Sequence, residues 1–438
     1  MPKCKFCFNI KKVKNMGEKF IIQGAKPLKG EISVVGAKNA AFPVLAASLL
    51  ARKPCIIDNL PKILDVLNFI EIIKSLGAEV LWLDERKIQV RAENIQPKNL
   101  DKKLVSKLRG SVLLIGSLLA NFKEIEMPQP GGCLIGARPI TTHLDAFSQL
   151  KVEIIPKEES FLFLRPEKEE EERAVILNEF SVTATENILL YLATSQKETV
   201  IKCADGDYPV QELIKVLRKM GVEIEVLDAH TYKIRGKKEL EGFEHKLMYD
   251  PIEAGTFILM AAATKGEIIV KNVEFKFLEL ALKRLKNFGL PFERIDKSTL
   301  KVKSWSNLKV DKVQALPYPG IPTDLLPLFG VLATQTEGLT LLHDPLYENR
   351  LKYLEELNKM GAQIIFADPH RAIVNGQTPL FGIEVSSPDI RGGVSLIAGA
   401  LIAKGETIIN NVYQIDRGYE RIEERLQRIG AKIDRLTD

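Results

Sequence analysis

The stretch FIEIIKSLGAEV (69–80) places an apolar helix face, a glycine stop and a β-rich tail in one line, and the same order returns five more times. The other copies are LDAFSQLKVEII (144–155), LIKVLRKMGVEIEV (213–226), LALKRLKNFGLPFE (280–293), YLEELNKMGAQIIF (353–366) and RIEERLQRIGAKID (421–434). They recur about every 70 residues, the mark of an internal repeat. Leucines and isoleucines at i, i+3 and i+4 give each helix one apolar face, and Gly77, Gly221, Gly289, Gly361 and Gly430 stand where a left-handed C-cap belongs. Lys151 occupies that place in the second copy. Upstream of most copies lies a strand signal rich in β-branched residues, as in KETVIKC and KGEIIVKNV. Before that comes an alanine- or glycine-rich segment, such as NAAFPVLAASLLA, SVTATENILLYLATS, EAGTFILMAAAT, DLLPLFGVLAT or GGVSLIAGALIA. Each unit reads helix, strand, helix, strand, strand. Units this long do not suit a solenoid; they suit small α/β modules that pool their buried helices, three to each of two domains.

Length and composition agree. A chain of 438 residues with 45% hydrophobic and 27% charged residues supports two cores of about 200 residues each. Its longest apolar runs, Val112 to Ala120 and Val394 to Ala403, are far shorter than the roughly 20 residues of a bilayer span, so no membrane segment is expected. The N-terminal MPKCKFCFNIKKVKNMGEKF scatters lysines and has no continuous apolar run, which leads us to expect a cytoplasmic protein. Five cysteines (Cys4, Cys7, Cys55, Cys133, Cys203) read as free thiols, and the single CxxC of Cys4 and Cys7 supplies only half a zinc site. No metal or other cofactor is expected. A net charge of +5, without a basic stripe interleaved with aromatics, favours small anionic ligands over nucleic acid. Walker A and GxGxxG loops are absent, and the five histidines never stand at i, i+4.

Four segments carry polar groups that packing does not require. In SVVGAKNAAFP (33–43), Lys38 and Asn39 stand at a helix start, where a point charge and free N–H groups together attract anions; a solvated lysine is the bland alternative. In PQPGGCLIGARPITTH (128–143), glycines and prolines specify an irregular loop bearing Cys133 and Arg138, and a thiol beside arginine is expected to react. Cys55 and Cys203, by contrast, read as buried structural thiols inside apolar strands. In GIPTDLLPL (320–328), Asp324 is either functional or a helix cap. The last group comprises LYENRLKY with Arg350, SPDIRGG with Asp389 and Arg391, and QIDRGYERIEERL with Asp416, Arg417 and Arg421. Arginines in such loops grip carboxylates and phosphates bidentately, or merely pair on the surface.

Taken in order, GAKNAA, PGGCxIGARP, SVTATEN, PTD, YENR, DIRGG and DRGYERIEERL resemble the family of UDP-N-acetylglucosamine enolpyruvyl transferases, from about Phe20 onward. The resemblance implies a two-domain inside-out α/β barrel built from six βαβαββ units, and transfer of the enolpyruvyl group of phosphoenolpyruvate to UDP-N-acetylglucosamine, the first committed step of peptidoglycan synthesis. It assigns Lys38 to phosphoenolpyruvate and Asn39 to the sugar. Arg109, Arg138, Arg391 and Arg417 would hold phosphate and carboxylate, helped by Arg350. Asp324 would take the proton of the sugar's 3-hydroxyl. Cys133 would protonate the methylene carbon, form an adduct with phosphoenolpyruvate and be alkylated by fosfomycin. Ser181 and Val182 fall where the family contacts the nucleotide, and Leu346 and Asp389 join the substrate-binding set. Two places depart from the family: Thr141, Thr142 and His143 follow Arg138 where RPxDLH is usual, and Glu179 stands where some members carry lysine.

The repeat and the family topology together divide the chain into a tail (1–18), one domain of 19–37 with 250–438, and another of 38–249. Two other functions compete. Transfer to shikimate 3-phosphate would not call for the PGGC loop or DRGYER. A noncatalytic UDP-sugar-binding regulator would not need both a proton donor and a base. The oligomeric state is left open.

Overall fold

A computed structural model describes residues 17–131, 135–136, 139–168 and 173–437. Cys4, Cys7, Cys133 and Arg138 lie outside the described residues. The repeat emerges as six small sheets, five of four strands and one of three. Each four-stranded sheet combines one parallel pairing with two antiparallel ones; Glu267–Lys271, for example, runs parallel to Lys29–Ser33 and antiparallel to Leu300–Val302. The three-stranded sheet is antiparallel throughout, with Ser160–Leu164 between Glu124–Pro128 and Glu153–Pro156. Strand Glu18–Gln23 inserts between Glu406–Asn410 and Lys432–Thr437, so the start of the described chain completes the last repeat.

The strand signals read from the sequence become Cys55–Asp58, Glu198–Lys202, Glu267–Lys271, Gly338–His343 and Glu406–Asn410. The alanine- and glycine-rich segments become helices that are predominantly apolar and almost wholly buried. Every residue of Pro251–Ala263 and of Leu326–Thr334 is buried. These two pack with Ile390–Ile402, and Lys38–Ala47, Leu114–Asn121 and Val182–Leu192 form a second trio. Small residues permit such close approach: a Cβ added to Gly116 would come within 2.2 Å of the Asn187 carbonyl. Amphipathic helices, among them Leu64–Ser75 and Tyr208–Lys219, cover the outside.

The five glycine stops have φ between 92° and 106°, and Lys151, at 61°, adopts the left-handed conformation without being glycine. The repeat is thus preserved in backbone geometry where its sequence signature fails. One expectation is corrected. Cys55 is buried in its strand, but Cys203 is exposed, because it lies one residue past Glu198–Lys202 in a left-handed turn with φ 54°.

Two large hydrophobic clusters result, one made of residues between Phe20 and Val34 and between Ile252 and Ile433, the other of residues between Ala41 and Leu247, with a small third one of Ala37, Ala40, Tyr208 and Met248 where they meet. The chain crosses between them in two segments that lie side by side, with Ala37 N–H donating to Met248 O and Asp250 N–H to Val35 O, both at 2.9 Å.

Candidate active site between the two clusters

Asp250, on the second crossover, organises the entrance to both central trios. Its Oδ1 accepts from Ile252 and Glu253 N–H and starts one helix, while Oδ2 accepts from Lys38 N–H at 3.1 Å and starts another. This places Lys38 on the floor of a cavity of about 490 Å³ bounded by both clusters. The sequence-predicted residues that fall within the described chain converge there: Lys38, Asn39, Arg109, Ser181, Val182, Asp324, Leu346, Arg350, Asp389, Arg391 and Arg417 all line it. Arg421 does not; its exposed side chain pairs with Glu424 at 3.5 Å. Asp416 instead binds Arg435.

Asp324 is no helix cap. Its Oδ1 accepts from Arg350 Nη2 at 3.0 Å, and its Oδ2 from Arg391 Nε at 3.0 Å and Nη2 at 2.9 Å. Burial works to raise its pKa, but the charges of Arg391, Arg350 and Lys38, with the Arg391 hydrogen bond, prevail and hold it down at about 2. Asp389 caps helix Ile390–Ile402 through Arg391 and Gly392 N–H. Arg391 also donates to Tyr419 Oη at 2.9 Å, so its guanidinium is fixed on three sides.

Asp65 was not singled out in the sequence. Its carboxylate bridges Lys38 Nζ and Arg417 Nε, each at 2.9 Å, and thereby joins two cationic segments more than 350 residues apart. Three residues beyond Arg417, Glu420 accepts from both terminal nitrogens of the Arg86 fork at 2.7 and 2.8 Å and from Lys62 N–H. The DRGYER segment therefore clasps the opposite cluster. Asp65 lies in the first turn of an amphipathic helix, where an aspartate is usual, so its local sequence carries no signal.

Also absent from the sequence-derived set are Glu186, Asp205, Asp207 and Tyr208, which line the same cavity. Burial and the charges of Asp205 and Asp324 push Asp207 up to about 7, against the lowering pull of Tyr208 N–H. The two departures from the family pattern meet: Thr142 Oγ1 donates to Glu179 Oε1 at 2.9 Å. His143 beside them is buried among Thr183 and Asn187, and burial, then the Arg109 charge, pushes its pKa down to about 3. It is held neutral as a packing and hydrogen-bonding residue. Among the described residues no group of three or more His, Cys, Asp or Glu side chains is arranged to hold a metal ion, and no helix is long and apolar enough to cross a membrane.

The family described as EPSP synthase (3-phosphoshikimate 1-carboxyvinyltransferase) matches residues 22–426. The UDP-N-acetylglucosamine 1-carboxyvinyltransferase of Treponema denticola is 37% identical over 423 residues, covering 95% of this chain and 98% of its own. A relative of that name from Caldanaerobacter subterraneus is 38% identical over 96% of this chain and all of its own. Among solved structures, the enolpyruvyl transferase NikO from Streptomyces tendae superposes with a TM-score of 0.87 at 21% identity, over 97% of this chain and 100% of that one. EPSP synthase from Acinetobacter baumannii follows with 0.73 at 17% identity, over 96% and 100%. These likenesses fix the two-domain α/β fold with its six repeats. A full-length match at this identity, together with a cavity that gathers the same cationic and carboxylate motifs, makes the chain a member of the enolpyruvyl (1-carboxyvinyl) transferase family.

Proposed function

We propose that this chain transfers the enolpyruvyl group of phosphoenolpyruvate to the 3-hydroxyl of UDP-N-acetylglucosamine with release of phosphate, the step that commits the sugar to peptidoglycan. The observation that carries this reading is the pairing of Asp324 with Arg350 and Arg391 opposite Lys38, within one cavity bounded by two separate cores. Attack of an alcohol on the central carbon of an enol phosphate needs a proton for the neighbouring carbon, an acceptor for the hydroxyl proton and firm support for anionic charge. Lys38, Arg350, Arg391 and Arg417 supply the support, with Arg109 and Arg138 contributing to phosphate and carboxylate binding. Asp324 accepts the proton of the 3-hydroxyl as the hydroxyl oxygen bonds to the central carbon, Cys133 gives the methylene carbon its proton, and elimination of phosphate follows. Asn39, Ser181, Val182, Leu346 and Asp389 complete the substrate contacts.

On this reading the domains are 19–37 with 250–438 and 38–249, since the crossovers fall between the two hydrophobic clusters and the substrates bind between them. The substrates are two small anions, no nucleic acid or membrane takes part, and the work is cytoplasmic. The test is phosphate release from phosphoenolpyruvate with UDP-N-acetylglucosamine, beside shikimate 3-phosphate and with Cys133→Ala. Release that requires the UDP-sugar and stops with fosfomycin supports the reading; release with shikimate 3-phosphate, or with neither acceptor, overturns it.

A further inference from the structure

We propose that Glu186, with Tyr208 beside Asp205 and Asp207, forms the part of the cavity that receives the uncharged sugar ring of the acceptor, Glu186 donating a hydrogen bond to one of its oxygens. This rests on the function proposed above and adds a specificity-determining residue to it.

Two buried polar atoms on this wall lack any partner. Glu186 is 1% exposed and its Oε1 makes no hydrogen bond; Tyr208 is 3% exposed and its Oη makes none. Both residues line the cavity. Buried side-chain polar atoms nearly always find a partner, so two orphans on residues that line one cavity point to a ligand that supplies it. The surrounding backbone is tightly held. Asp205 N–H donates to Thr185 Oγ1 at 2.9 Å, Asp207 N–H to Asp205 Oδ1 at 2.7 Å, Tyr208 N–H to Asp207 Oδ1 at 2.7 Å, and Tyr232 Oη to the Asp205 carbonyl at 3.2 Å. The orphans are therefore preorganised rather than loose.

Charge selects the ligand. Burial, then the charges of Asp205 and Asp207, pushes the Glu186 carboxyl well above its ordinary range and so favours its protonated form. A carboxyl group that is protonated donates from O–H and accepts at its other oxygen, as a tyrosine hydroxyl also does. The three carboxyl groups on this wall offer phosphate and carboxylate no cation, whereas Lys38, Arg350, Arg391 and Arg417 do. Of the acceptor, the hydroxyls and acetamido group of the sugar ring meet these conditions.

The test is calorimetric binding of UDP-N-acetylglucosamine and of UDP, which lacks the sugar, to the full chain. Glu186→Leu removes both hydrogen-bonding roles at similar volume and is expected to weaken UDP-N-acetylglucosamine about ten-fold while leaving UDP within about two-fold. Glu186→Gln keeps a neutral donor and acceptor and is expected to stay within about three-fold of the wild type. Unchanged binding of the UDP-sugar by Glu186→Leu overturns the proposal, and so does an equal loss for UDP. Should Glu186→Leu not fold, Tyr208→Phe decides: a loss of about three-fold or more for the UDP-sugar alone supports the proposal, and no loss overturns it. A wild-type protein that binds no UDP-sugar overturns the function and this inference together, whereas normal wild-type binding with indifferent variants overturns the inference alone.

Discussion

The two walls of the cavity use the same chemical group in opposite states. On one, Asp324 is gripped by Arg350 and Arg391 and stays ionised down to about pH 2. On the other, Asp207 is pushed up to about 7 and Glu186 well above its ordinary range, burial being the chief cause in both and neighbouring carboxyls the next. Burial penalises charge on both walls; what differs is what faces the carboxyl, guanidinium or another carboxyl. A fixed charge pair suits reacting anions, and a neutral hydrogen-bonding wall suits a sugar.

That contrast can be broken most severely at Asp324. Asp324→Ala removes the proposed proton acceptor and takes from two buried guanidinium groups the carboxylate they share, and turnover measured by phosphate release should fall about a thousand-fold. The walls should also respond to pH with opposite sign. Asp207 binds a proton in the folded chain from about pH 4 to 7, where the unfolded chain has lost it, so stability falls as pH rises through that window, by up to about 4 kcal/mol. Denaturant melts of Asp207→Asn, which still caps its helix, should show that slope removed. Asp324 has a lowered folded pKa, so its contribution of roughly 2 kcal/mol is present above pH 4 and lost as pH falls towards 2. In Asp324→Asn the acid-side slope should flatten while the neutral-side slope remains; matching slopes in both variants would refute the contrast.

Smaller effects test the frame that brings the walls together. Arg86 is partly exposed where it clasps Glu420, and Arg86→Ala should cost only about 1 kcal/mol in a denaturant melt and leave turnover nearly intact. Lys151 holds a left-handed cap that the other repeats give to glycine. Lys151→Gly should stabilise by about 0.5–1 kcal/mol, and Gly221→Ala should cost about as much; equal and opposite shifts would show that the repeats share one backbone despite the substitution.

The repeat, the two-domain α/β class and the cationic cluster were legible because each rests on local signals. Helix faces recur at 3.6 residues, glycine follows them where the chain turns left-handed, and loop arginines stand out against apolar neighbours. The helix Leu114–Asn121 was present only as an apolar run, since its packing partners are elsewhere in the chain. Asp65 and Asp207 drew no reading at all, Glu186 stood only inside the SVTATEN motif, and Cys203 read as a strand residue. Only the tertiary structure joined Asp65 to Lys38 and Arg417, set Thr142 on Glu179, and turned the two carboxyl walls towards each other. Amino-acid periodicity determines which faces are buried, and that much is written along the chain. The charge a carboxyl carries depends on desolvation and on neighbours brought within a few ångströms from hundreds of residues away, and that is decided only when the chain has folded.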